Sequence, residues 1–217
     1  MQENIDNVGK HILYNAVEED FYFNGRTNCE KREVYKNVLM ICSLKRYKAV
    51  LEFVELASLN SVYEFKLVVN ASQEEIDVFF TNTFLPPNLK IYPVQKNTHP
   101  FYSWADIVLN LSRTDEWIET FGLTILEGMA YGIPAIVPPV GGVAELIEEN
   151  KNGALIDSNN IQLLSRRLKE ILDNKALYAE MKKNSFSRIN SFREMEFIKK
   201  SLSILEIDKP LTLGNGQ

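Results

Sequence analysis

Short apolar runs alternate with longer amphipathic stretches over most of the chain. The first run, VLMICS (38–43), is bounded by polar sequence and predicts a buried strand. In YKAVLEFVELASLN the residues Val50, Leu51, Val54, Ala57 and Leu59 recur at helical spacing. EFKLVVN (64–70) predicts a second strand. SQEEIDVFFTNT (72–83) predicts a helix with Ser72 as N-cap and Glu75 as its capping-box acid. Pro86-Pro87-Asn88 punctuates the chain before a third strand, LKIYPV (89–94). One or two helical turns are expected between His99 and Trp104, then a fourth strand, DIVLNLS (106–112). A polar loop, RTDEWIE, leads into a helix over 121–131, which Gly132-Ile133-Pro134 ends. PAIVPP is the fifth strand, Gly141-Gly142 opens a helix over VAELIEEN, and GALID (153–157) is the sixth strand. Helices over NIQLLSRRLKEILDN, ALYAEMKKNSFSRIN and from Phe192 to Ile207 close the chain.

The strands are apolar almost throughout, as strands covered on both faces should be. Six of them alternating with helices predict a doubly wound, six-stranded parallel α/β sheet of Rossmann-like form, with extra C-terminal helices. Residues 1–35 do not join the alternation. HILYNAVEEDFY reads as a lead-in, residues 36–207 as the domain, and 208–217, with LTLGNGQ, as a loose tail.

A chain of 217 residues with 45% hydrophobic content is long enough to bury a substantial core. The net charge of -5 argues against a nucleic-acid partner, and says nothing against a small anion that needs one or two local cations. The two cysteines, Cys29 and Cys42, lack metal-ligand spacing, so a reducing cytoplasmic setting fits best. Cys42 is expected as a buried core thiol. The polar start MQENIDNVGK shows no signal region, and no run reaches the ~18 apolar residues of a membrane span. The reading is a cytoplasmic protein, compatible with peripheral association at the inner face of a membrane.

In such a sheet ligands bind beyond the carboxyl ends of the strands. The loops there are SLKRYK, RTDEWIETFG, PPVGG and DSNN. Thr120, Phe121 and Gly122 stand where a helix begins, and its free amides and dipole favour an anion such as a diphosphate. Gly122 admits a close approach to the backbone. Glu127 lies roughly 8–10 Å further along at 1.5 Å per residue, about the reach from a diphosphate to a ribose. A carboxylate there would accept the ribose hydroxyls, while Glu119 lies on the other side of the phosphates. Lys45, Arg46 and Lys48 supply cations, Lys48 as a mobile point charge. Singly, each residue has a plain reading: Glu119 a helix-entry acid, Glu127 an exposed helix face, Lys48 a surface lysine, Gly141-Gly142 a turn. The joint arrangement is what points to a site.

These residues resemble a known signature. Glu119-Thr-Phe-Gly-Leu-Thr-Ile-Leu-Glu127, then Gly132-Ile-Pro134, Gly141-Gly142-Val-Ala-Glu145 and Asn152-Gly153, occur in the order and spacing of the family 4 retaining glycosyltransferases of GT-B fold. Ala105-Asp106 and Ser112-Arg113 also fit, and the resemblance runs from Val38 to Leu172. It implies a C-terminal, donor-binding domain for a nucleotide-diphosphate sugar. It implies that Lys48 contacts the diphosphate, that Glu119 faces the donor sugar, and that Glu127 holds the ribose. The backbone of Gly122 and Leu123 would contact phosphate, Val94 would lie by the base, and Ser43, Thr120 and Phe121 would also border the donor. Where the family carries Gly-Arg, this chain has Cys42 and Ser43, with Arg46 as a displaced substitute; Asn70-Ala71-Ser72 replaces a glycine-rich turn.

The expected activity is retaining transfer to a saccharide or lipid-linked acceptor in surface polysaccharide synthesis. There is no Asp-x-Asp motif, so neither metal nor other cofactor is expected. The acceptor domain is expected to be absent, leaving this chain inactive alone. The alternative is a non-catalytic nucleotide-binding or assembly module, or a subunit of a split enzyme. A dinucleotide oxidoreductase fits poorly, because SLKRYK follows the first strand with no G-x-G-x-x-G.

Overall fold

The structure, a computed structural model, describes residues 11–27 and 34–205. Six strands form one parallel sheet: β1 (Asn37–Cys42), β2 (Glu64–Val69), β3 (Leu89–Tyr92), β4 (Ile107–Leu109), β5 (Ala135–Val137) and β6 (Gly153–Leu155). Their order is β3-β2-β1-β4-β5-β6. The chain reverses its winding between β1 and β4, which pair in the register Val38↔Ile107 and Leu39↔Val108. The helices are α1 (Glu19–Thr27), α2 (Val50–Leu59), α3 (Gln73–Phe79), α4 (His99–Trp104), α5 (Leu123–Ala130), α6 (Ile161–Asp173), α7 (Lys175–Arg188) and α8 (Glu194–Ile204). Among the described residues no helix is long and apolar enough to cross a membrane.

The continuous apolar strands now have their reason. Val38, Met40, Leu67, Ile107 and Leu109 face one core with Phe53 and Leu56 of α2 and Leu164, Leu168 and Ile171 of α6. Leu39, Val68, Val108, Ala135 and Val137 face the other, with Ile125, Leu126 and Met129 of α5. Alternate residues serve opposite faces, so neither face can be polar. Side chains fix the element ends. The Ser72–Glu75 capping box forms at 3.2 and 2.7 Å. Asp106 Oδ2 accepts the amides of Lys36 and Asn37 at 2.9 and 3.0 Å, anchoring the start of β1. At the end of α5, Gly132 N–H donates to Met129 O and Ile133 N–H to Gly128 O, the paired bonds of a Schellman ending.

Two expectations change. VAELIEEN forms only a 3-10 turn, Ala144–Leu146. Asn152 reaches back to it, accepting Glu148 N–H at 2.7 Å and donating to the Leu146 carbonyl at 3.0 Å, so those groups leave the helical pattern. The fourth strand stops at Leu109 instead of running to 112, and the Asn110 carboxamide takes the Ser112 amide at 3.0 Å.

The described part of the lead-in packs on the domain. Val17 N–H donates to Phe192 O at 2.8 Å, Glu19 pairs with Arg193 at 2.9 Å, and α1 lies against α4 and α5. The expectations for MQENIDNVGK, Cys29 and LTLGNGQ lie outside the described residues.

Candidate functional site

A cleft of about 450 Å³ opens at the carboxyl ends of β1 and β4, where the winding reverses. Ser43, Lys48, Glu119, Thr120, Phe121 and Gly122 are among the residues that line it. Lys48 ends a 3-10 turn, Arg46–Lys48, and the next residue, Ala49, is buried in the left-handed region at φ 54° and ψ 40°. An L-residue adopts that conformation at a cost of roughly 1–2 kcal/mol. It turns the chain sharply from the loop into α2 and leaves Lys48 facing the cleft. The Lys48 ammonium pairs with the Glu119 carboxylate and lies 3.3 Å from Ser112 Oγ. Among the described lining residues it is the one cation.

The loop carrying Glu119 is held from two sides. Arg113 N–H donates to Tyr47 O at 2.8 Å, and Trp117 stacks on Tyr47 at 5.2 Å, joining this loop to the one that carries Lys48. The Arg113 guanidinium pairs with Glu52 and Glu116, which hold its proton above the ordinary arginine range. On the other side Gly142 N–H donates to Glu119 O at 2.8 Å. A Cβ on Gly142 would fall inside the Thr120 carbonyl oxygen, and one on Gly141, at φ 88°, inside that of Glu119. The glycine pair is therefore a contact surface that lets two backbones touch. Gly122 serves packing too: a Cβ there would stand 2.6 Å from Val143 Cγ2.

Gly122 is the N-cap of α5 and supplies no side-chain acceptor to its amides. Gly122, Leu123 and Thr124 all line the cleft, so the positive end of α5 is presented to it. Glu127 lies further along α5, outside the cleft lining, half-buried. The Tyr102 hydroxyl donates to its Oε2 at 2.6 Å. Burial pushes the Glu127 carboxyl above the usual range, and the Tyr102 bond opposes that rise. Cys42 is half-buried at the cleft wall and not wholly in the core; burial raises its thiol to about 12. Arg46 is exposed outside the lining, and so is Val94, 58% accessible.

The structure thus brings together Ser43, Lys48, Glu119, Thr120, Phe121, Gly122 and Leu123, with Glu127 along the same helix. Sequence reasoning missed Asn15 and Asn110, which also line the cleft, and Tyr102. Asn15 sits in the stretch read as a lead-in. Nothing in the aromatic run of α4 marks one tyrosine as the partner of an acid 25 residues on.

A doubly wound sheet with a helix N-terminus, Lys48 and Glu119 at a cleft on its switch point defines a Rossmann-like α/β domain, with the cleft where ligands of such sheets generally bind. The profile of the group 1 glycosyl transferases matches residues 26–188, and the chain belongs to that family. Sucrose-phosphate synthase 4 of Arabidopsis thaliana is 36% identical over 89 residues, 41% of this chain. The chain covers 8% of that relative's length. A glycosyltransferase from Rickettsia africae superposes with a TM-score of 0.75 at 21% identity, over 91% of this chain and 56% of that one. Anabaena HepE in complex with UDP and glucose gives 0.73 at 19% identity, over 92% and 57%. The C-terminal domain of a group 1 glycosyl transferase from Francisella tularensis gives 0.60 at 18% identity, over 85% and 97%.

Proposed function

We propose that this domain binds a nucleotide-diphosphate sugar and serves as the donor half of a glycosyltransferase. The observation that carries the reading is the convergence of Lys48, Glu119 and the α5 N-terminus on one cleft at the switch point. The diphosphate rests on the first amides of α5. Lys48 exchanges its carboxylate partner for a phosphate oxygen and stabilises the charge that develops on the leaving diphosphate. Glu119, released, turns to the hydroxyls of the donor sugar. Glu127 accepts the ribose hydroxyls two turns along α5, with Val94 towards the base. Lys48 and the helix dipole balance the phosphates, so neither metal nor other cofactor is required. A uridine nucleotide is the first candidate, because the structurally similar Anabaena HepE was solved with UDP and with UDP-glucose.

Transfer proceeds with retention of anomeric configuration to a saccharide or lipid-linked acceptor, in surface polysaccharide synthesis at the cytoplasmic face of a membrane. A second Rossmann-like domain supplies the acceptor contacts, and this domain by itself does not turn over. Calorimetric titration of UDP and uridine, with EDTA present, tests the reading. Wild type is expected to bind UDP well above uridine. Lys48→Ala is expected to weaken UDP about 10–100-fold, the worth of a charged hydrogen bond, and to leave uridine unchanged. Equal loss for both ligands, or a requirement for metal, would overturn the phosphate role of Lys48.

One observation favours a second reading, a nucleotide-binding or assembly module without transfer. Cys42 and Ser43 are uncharged where the wall meets the cleft, and Lys48 is the one cation of the described lining. That reading predicts UDP binding with no release of UDP from a UDP-sugar when acceptor domain and acceptor are supplied.

A further inference from the structure

Tyr102 does not line the cleft, yet it is the residue that holds Glu127. Its side chain is 1% exposed and sits among aromatic rings. Tyr131 stacks on it with centroids 5.8 Å apart, and Phe21 of α1 meets it edge-on at 5.8 Å. Phe21 is itself stacked at 4.3 Å on His99, whose ring nitrogens lie 2.6 Å from the Tyr131 hydroxyl and 2.8 Å from the Asp20 carboxylate. The ring, carried by α4, is thus clamped between α1 and the end of α5. Its hydroxyl lies 2.6 Å from Glu127 Oε2 and 3.1 Å from the Thr124 carbonyl. One proton faces two acceptors, and the shorter, charge-assisted bond to the carboxylate takes it. The bond ties one oxygen of Glu127 and leaves the other for a ligand.

We propose that Tyr102 is a positioning residue for nucleotide binding: clamped by α1, it orients Glu127 so that its free oxygen meets the ribose hydroxyls. This rests on the donor-binding reading above. The same hydroxyl has an electrostatic effect. Glu127 is faced by Tyr102 and His99 from α4 and by Glu18 from the segment before α1. Burial and Glu18 favour its neutral form; Tyr102 and His99 favour the carboxylate. Removing the hydroxyl should therefore both loosen the side chain and let it protonate at higher pH.

The test is calorimetric titration of UDP and 2′,3′-dideoxy-UDP against wild type, Tyr102→Phe and Glu127→Ala, between pH 5.5 and 8. Phosphates titrate alike in both ligands, so the affinity ratio isolates the ribose end. Wild type should prefer UDP about tenfold or more, the scale of a charged hydrogen bond, and Glu127→Ala should erase the preference. Tyr102→Phe should cut it several-fold at pH 7.5, keep dideoxy-UDP affinity unchanged, and lose the remainder at a higher pH than wild type. A Tyr102→Phe protein with the wild-type ratio, or with equal loss for both ligands, overturns the positioning role. A wild type with no preference, or a Glu127→Ala protein that keeps it, overturns the ribose assignment of Glu127 and this proposal with it. Should Tyr102→Phe fail to fold, Phe21→Leu, which removes the edge contact from α1, reads the same ratio: a fall supports the role and no change overturns it.

Discussion

Glu119 and Glu127 are the same residue type eight positions apart, and the fold gives them opposite surroundings. Glu119 sits in a polar cleft, paired with Lys48 and backed by a loop that two glycines press into place. Glu127 sits against an aromatic cluster, with the Tyr102 hydroxyl bonded to one of its oxygens. One helix start can in this way offer two chemically distinct environments to a ligand. The cation and the helix dipole are concentrated where phosphates would lie. The other acid is kept apart from that cation, so its carboxylate is not neutralised and can accept neutral hydroxyls.

Breaking the Glu119 end should have the largest effect. Gly142→Ala places a methyl group on the Thr120 carbonyl, which cannot move without displacing Glu119 and the start of α5. Overpacking of this kind costs about 1–3 kcal/mol, on the order of 3–10 °C in Tm at this size. UDP affinity should fall at least about tenfold, because the displaced groups include those at the phosphates. Thermal denaturation and titration of the same variant check both. Breaking the Glu127 end should cost less stability. Glu127→Ala is expected to weaken UDP about tenfold, for the lost charged hydrogen bonds, with Tm close to wild type by calorimetry.

The smallest effect sharpens the contrast. The folded-state pKa of Glu127 lies above its ordinary value, so the folded chain holds that proton more tightly than the unfolded chain does. The stability contributed by the protonated form is complete below the ordinary glutamate value of about 4.3 and is lost as pH rises through the raised pKa. Glu127→Gln escapes that loss. Its Tm relative to wild type should rise between about pH 4 and pH 7, read by differential scanning at several pH values. A constant difference would show that burial does not work against the charge of Glu127.

The strands and caps were legible because they are local. VLMICS reads as a strand since residues on both faces are buried, and Ser72 with Glu75 declares a helix start within four residues. The cleft was legible for a related reason: Glu119, Gly122 and Leu123 lie on one short stretch, although Gly141-Gly142 returns to it only after α5 and β5. What escaped is set by distant side chains. Asn152 converts VAELIEEN from a helix into a 3-10 turn by reaching back to Glu148 and Leu146. Asn15 reaches the cleft from a segment outside the strand–helix alternation. Tyr102 meets Glu127 only because α4 and α5 share one face of the sheet. Arg46, close to Lys48 in sequence, stands exposed outside the lining because the left-handed turn at Ala49 follows Lys48 and orients that residue instead.

A thermal-shift panel of the nucleoside diphosphates UDP, GDP, ADP and dTDP, with the monophosphate CMP, tests most directly whether the cleft holds a nucleoside diphosphate. A ligand at ~100 times its dissociation constant that binds only the folded state adds about 2.7 kcal/mol, on the order of 5–10 °C for a domain of this size. A shift of that order is expected with one nucleoside diphosphate, UDP first. No shift with any of them at millimolar concentration would mean that the cleft is not a nucleoside-diphosphate site.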